Sequence, residues 1–117
     1  ELGMMTADDC QEGYVPLMAD NASNYVAAGV SYAIPLFRPI RLARKVACPA
    51  LVLICDHDTV APASAAAKAA QKMPKAEVKH YPVGHFDVYR GEALDRSIED
   101  QLDFLSRFFK QIGARSD

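Results

Sequence analysis

The most regular spacing of apolar positions lies late in the chain, where Leu94, Ile98, Leu102, Leu105, Phe109 and Ile112 recur every three or four residues. That period predicts an amphipathic helix from Glu92 onward, with Gly113 as its C-terminal stop. Two shorter patterns precede it. Ala50-Leu51-Val52-Leu53-Ile54 is an unbroken apolar run, too short for a typical helix and rich in branched side chains, which predicts a strand buried on both faces. Ala76-Glu77-Val78-Lys79-His80-Tyr81 predicts a second strand, stopped by Pro82 and Gly84. Between them, Pro62 suits the first turn of a helix that continues through an alanine-rich stretch to Met73 and ends at Pro74. The alanines near Ala65 to Ala70 suit close packing against a sheet.

An order of strand, helix, strand, helix implies a parallel sheet with right-handed crossovers. In such a sheet, polar groups at the carboxyl ends of the strands converge on one crevice. Two acid and base motifs occupy those positions: Cys55-Asp56-His57-Asp58 closes the first strand, and Gly84-His85-Phe86-Asp87 follows the second. Asp58 and His85 are therefore expected to meet, the carboxylate fixing the imidazole tautomer and the imidazole acting as a base. The competing reading is that Asp58 only caps the following helix and that His85 is an ordinary loop histidine.

From Val46 to Ile112, these residues resemble the C-terminal portion of the α/β-hydrolase fold. Cys55-x-x-Asp58-x-x-x-Pro62 is similar to the family pattern in which an acid follows the penultimate core strand, with cysteine where glycine is common. Gly84-His85 stands where the family places a histidine after the last strand. The fold class implied is α/β: a parallel βαβα unit from the C-terminal part of an α/β-hydrolase, preceded by a helical cap-like segment. The function implied is attack on an ester, thioester, amide or related bond of a small-molecule acyl-type substrate through a Ser-His-Asp triad. Asp58 would be its acid and His85 its base, and no organic cofactor is implied.

The nucleophile of that fold sits in a Gly-x-Ser-x-Gly elbow upstream of the acid. The nearest approximation, Gly29-Val30-Ser31-Tyr32-Ala33, follows a poor buried strand, has Ala33 where glycine is wanted, and is followed by Pro35 and Pro39, which interrupt a helix. The nucleophile and the oxyanion donors are therefore expected to lie outside this chain, which alone should be inactive. Cys55 lies beside its own acid and reads as a buried strand-end thiol. Asp56, His57, Asp58, His85 and Asp87 are suitable metal-ligand types, but alternation along extended backbone turns neighbours to opposite sides, so no metal site is expected.

The first 45 residues have a different texture. Thr6-Ala7-Asp8-Asp9 has the form of a helix N-cap leading into a short helix, and Asp20-Asn21-Ala22-Ser23 is a turn signal. A helix is expected over Tyr25 to Ile34, broken around Pro35 to Pro39 and resumed from Ile40 to Val46, with Cys48-Pro49 marking entry to the strand. Residues 1–45 are read as a cap or lid segment and residues 46–117 as the core portion. Tyr14, Met18, Tyr25, Tyr32 and Phe37 either line an acyl or aromatic pocket or pack the cap onto the core.

Composition adds bounds. At 117 residues the chain is one small domain, whereas a complete doubly wound hydrolase needs a larger sheet, so the sequence is expected to be a fragment of one. A net charge of −2, with basic residues scattered apart from Arg38, Arg41, Arg44 and Lys45, gives no footprint for nucleic acid. Neither a charged leader with an apolar segment nor a membrane span is expected. Cys10, Cys48 and Cys55 form neither an even disulfide set nor a zinc spacing, which favours a reducing, cytoplasmic setting. The alternative function is a non-catalytic structural or interaction module. A two-stranded sheet leaves an unpaired edge and apolar faces that invite self-association as a homodimer.

Overall fold

A computed structural model of the chain describes residues 7, 9–23 and 25–113, the side chains of 110–113 excepted. Its regular elements are α1 (Cys10–Tyr14), α2 (Val30–Ala33), β1 (Ala50–Cys55), α3 (Ala63–Ala70), β2 (Ala76–Tyr81) and α4 (Gly91–Gly113). Short 3-10 turns at Val15–Leu17, Ile34–Leu36, Pro39–Arg41, Ala43–Lys45 and Asp87–Tyr89 complete them. The architecture is mixed α/β, with helices around a two-stranded parallel sheet. Ala50 pairs with Ala76 and Cys55 with Tyr81, so the two strands end level with one another. The pairing then runs past the strands. The Asp56 N–H donates to the Tyr81 carbonyl at 2.8 Å, and the His57 N–H to the Val83 carbonyl at 3.1 Å.

Helix α3 is the crossover and lies against both strands. Ala63, Ala66, Ala67 and Ala70, spaced three or four apart, form its less exposed face, with Ala70 buried. Small side chains let the helix backbone approach the sheet. The helix ends at Ala70, three residues before the expected Met73, because the final turn tightens: Lys72 N–H bonds the Ala69 carbonyl and Met73 N–H the Ala70 carbonyl. A residue before proline disfavours α geometry, which accounts for the early unwinding ahead of Pro74.

Three further expectations are corrected. Strand β1 is not buried on both faces; Ile54 alone is fully buried and the remainder are half-covered, because β2 is its one strand partner among the described residues. The helix expected over Tyr25 to Ile34 is reduced to the single turn of α2, and the one from Ile40 to Val46 to two 3-10 turns, Pro39–Arg41 and Ala43–Lys45. Pro35 and Pro39 remove backbone donors within that stretch, and its side chains bury too little apolar surface to favour longer helix. The expected N-cap pattern falls partly outside the described residues, at Thr6 and Asp8; Asp9 occupies the N-cap position of α1 without making a capping hydrogen bond.

Helix α4 has the expected extent but the opposite orientation. Its buried point is Ser97, 3% exposed, flanked on the same face by half-buried Asp100, Phe104 and Phe108. The anticipated apolar stripe faces out: Ile98, Leu102, Leu105 and Phe109 are exposed, Leu102 at 61%, while Leu94 is half-buried and the Ile112 side chain lies outside the described residues. Polar bonds to β2 select this orientation. Tyr81, fully buried, donates its hydroxyl to Asp100 Oδ2 at 2.6 Å; Lys79 Nζ lies 2.9 Å from Asp100 Oδ1; and Arg107 bonds Glu77 at 2.8 Å. Arg96 lies over the Tyr81 ring, 5.9 Å from its centroid. No described helix is long and apolar enough to cross a membrane.

Burial, then the hydrogen bond and negative charge of Asp100, push the Tyr81 hydroxyl up to about 12. Because the fold favours the neutral phenol, the stability it contributes is complete below the ordinary tyrosine value of about 10 and is lost as pH rises through about 12. Tyr81→Phe should cost about 1.5–3 kcal/mol near neutral pH, the range for a hydrogen bond to a charged acceptor. Urea unfolding from pH 7 to pH 12 should show the wild-type chain converging on the variant at the alkaline end.

Candidate functional site

Level strand ends place two loops side by side, residues 56–62 after β1 and residues 82–90 after β2. Asp58 is drawn back under its own loop. Its Oδ1 accepts the backbone N–H groups of Val60 at 2.8 Å and Ala61 at 2.6 Å, an Asx-type turn that leads into α3. Its Oδ2 faces the other loop and lies 2.8 Å from His85 Nδ1. Asp58 does not cap the helix itself, whose N-cap is Pro62 and receives no side-chain bond; one carboxylate oxygen closes the turn ahead of α3 and the other meets His85. The pair is sheltered, with side-chain exposures of 10% for Asp58 and 28% for His85.

Burial pushes the Asp58 carboxyl up, but hydrogen bonds from Ala61, His85 and Val60, together with the imidazole charge, outweigh it and hold the group below its ordinary value. At neutral pH Asp58 is therefore an ionised carboxylate that can only accept. An ionised carboxylate at this distance requires the shared proton on His85 Nδ1, and with that nitrogen protonated the neutral form of the ring has its free lone pair on Nε2. No described residue bonds His85 Nε2. An imidazole held in this tautomer, with its second nitrogen open, can take a proton from a hydroxyl presented to it.

The histidine loop is fixed by its neighbours. The Gly84 N–H donates to Asp87 Oδ2 at 2.9 Å, and a Cβ at Gly84 would press on that same oxygen, so a larger residue there would have to displace the Asp87 carboxylate. Phe86 is buried, and its ring meets the His85 imidazole edge-on, with centroids 4.8 Å apart and planes at 82°. A cavity of about 420 Å³ opens beside the pair, bounded by Leu53, Cys55, Ala66, Leu94 and Gln101 as well as Asp58 and His85. It is mostly apolar, with the carboxylate–imidazole pair at its wall.

Other residues raised by the sequence are placed differently. Burial, followed by the charges of Asp58, Asp56 and Asp87, raises the Cys55 thiol above its ordinary value and so disfavours the reactive thiolate. Ser31 is exposed in the single turn of α2. Tyr25, Tyr32 and Phe37 are exposed and do not bound the cavity; Tyr14 and Met18 are half-covered and also lie outside its wall. No group of three or more His, Cys, Asp or Glu among the described residues converges to hold a metal ion. One pair was not anticipated: His80 Nδ1 lies 2.6 Å from Asp56 Oδ1, and both are more exposed than the first pair. His80 stands opposite Ile54, and Asp56 comes two residues further on the same face, so finding this pair requires the strand register.

The chain is 42% identical over 106 residues to the quorum-quenching protein AidA of Acinetobacter baumannii (strain MDR-ZJ06), a match that covers 89% of this chain and 35% of that protein. The chain thus spans about a third of the length of the curated relative it matches. No family model matches the sequence, and no solved structure matches it.

The folded state favours ionised Asp58, so its contribution is present above the ordinary carboxylate range near 3.9 and is lost as pH falls through the depressed folded value. Asp58→Asn should destabilise the chain by about 1.5 kcal/mol or more at neutral pH, since it weakens bonds to a charged acceptor. Urea titrations at descending pH should show this difference shrinking in acid. An equal difference at both ends would mean that the ionised carboxylate is not what holds these bonds.

Proposed function

We propose that the chain is a C-terminal portion of an α/β-hydrolase, supplying the acid and base of a Ser-His-Asp triad that cleaves an ester, thioester, amide or related bond. The observation that carries this reading is the 2.8 Å hydrogen bond from His85 Nδ1 to Asp58 Oδ2 at the rim of an apolar cavity, with Nε2 unengaged by any described residue. Residues 1–45 are the cap, and the substrate is a small acyl-type molecule. The serine and the oxyanion donors come from polypeptide outside this sequence. In the complete enzyme the serine hydroxyl gives its proton to His85 Nε2 as it attacks the acyl carbon. Asp58 stabilises the resulting imidazolium, and His85 returns the proton to the leaving group before water releases the acyl enzyme.

AidA is named for quorum quenching, and hydrolysis of an acyl bond within a signalling molecule is a chemistry suited to that task. The reading also includes a cytoplasmic setting, in keeping with three free cysteines. The test is a chimera in which this chain replaces the matched third of the Acinetobacter protein. It should quench signalling and turn over a simple aryl ester, and His85→Ala or Asp58→Asn should lower turnover roughly 10⁴-fold. Full activity in the His85→Ala chimera contradicts the proposal. The 117-residue chain alone should give background rates; robust turnover abolished by His85→Ala would place the nucleophile within it.

A second reading, a self-associating module, is favoured by the outward stripe of α4 and by an edge of β1 that pairs with no strand among the described residues. Ile98, Leu102, Leu105 and Phe109 form one ridge that a second copy can cover with the same ridge of its own. Sedimentation equilibrium should detect a dimer that Leu102→Asp dissociates. A compact monomer over a wide concentration range rules this reading out.

A further inference from the structure

Helix α1 touches both loops that carry the pair. Its Asp9 Oδ1 accepts the Thr59 hydroxyl at 2.7 Å, one residue beyond the acid. The other carboxylate oxygen lies against Gly84, one residue before the base, where an added Cβ would sit 3.8 Å from it. One turn further along, Gly13 is buried, and a Cβ built there would clash with the Phe86 ring, so that ring occupies a notch that only glycine leaves open. Tyr14 closes the notch, its ring tilted at 53° to Phe86 with centroids 6.5 Å apart. Buried Cys10 lies one turn earlier on the same helix. Phe86 in turn meets the His85 imidazole edge-on.

We propose that Asp9–Tyr14 is a brace for the catalytic pair, in which Phe86, seated against Gly13, is a positioning residue that sets the His85 ring while Asp9 holds the acid loop through Thr59. This rests on the triad reading above. The two loops are otherwise joined by the backbone bonds that continue the strand pairing and by the Asp58–His85 bond itself. Backbone pairing fixes where the loops lie but leaves rotation about the His85 side chain free. An aromatic edge supplies a restraint on one side, because the imidazole can swing toward Phe86 only by displacing a ring that α1 pins from behind. The consequence is mechanical: a shift of the cap's first helix moves Phe86 and so loosens the base. The brace thereby makes the orientation of His85 depend on the seating of the cap.

The test uses the 117-residue chain and the His85 Nδ1–H proton, whose resonance should be protected from exchange with water while Asp58 accepts it. Gly13→Val should displace Phe86 and broaden this resonance beyond detection, while amide shifts of β1 and β2 stay in place. Phe86→Leu keeps apolar volume without the ring and should produce the same loss, which covers the case in which Gly13→Val fails to fold. Thr59→Val should speed exchange of the same proton by freeing the acid loop. A sharp, unshifted resonance in folded Gly13→Val or in Phe86→Leu overturns the brace. Absence of a protected Nδ1–H in the wild-type chain overturns the triad reading beneath it, so the two failures are distinct.

Discussion

Everything at this site depends on a parallel pairing that does not stop where the strands stop. Because β1 and β2 end level and the ladder continues through Asp56 to Tyr81 and through His57 to Val83, the two following loops leave the sheet side by side. A slip in register would turn side chains to the opposite face and separate Asp58 from His85. With register fixed, a short loop on each side is enough to bring a carboxylate and an imidazole within hydrogen-bond distance. Two such pairs form, and their exposure separates their chemistry: Asp56–His80 lies in solvent, where ion pairs contribute little, and Asp58–His85 is sheltered beside an apolar cavity.

The two longer helices attach to the sheet by different means. Alanine spacing lets α3 pack closely as the crossover. Helix α4 instead attaches through Asp100 and Arg107, which meet Tyr81, Lys79 and Glu77 of β2, and this leaves its apolar ridge outward. A buried tyrosine hydroxyl must find a partner, and Asp100 supplies it. That requirement outranks burial of the stripe, given that two strands offer little apolar surface to cover it.

Both strands, the crossover helix, the terminal helix and the Asp58–His85 meeting were legible in the residues, since each rests on local signals: branched apolar runs, alanine spacing, proline and glycine stops, and acid or base placed just beyond a strand. What was not legible depends on partners distant in sequence. The face that α4 buries is decided by the Tyr81 hydroxyl, the His80–Asp56 pair by register, and the notch at Gly13 by a phenylalanine more than seventy positions away. The stretch from Tyr25 to Val46 holds less helix than its residues suggest, because its apolar composition carries no period strong enough to outweigh Pro35 and Pro39.

The central claim is that ionised Asp58 holds the His85 ring with a proton on Nδ1. Long-range proton–nitrogen correlation spectra of the three imidazoles, recorded in alkaline buffer, read this tautomer directly. The account predicts that His85 carries its proton on Nδ1, with Nε2 bare, and that Asp58→Asn abolishes this preference. A wild-type His85 protonated on Nε2, or averaging between the two forms as a free imidazole does, contradicts it.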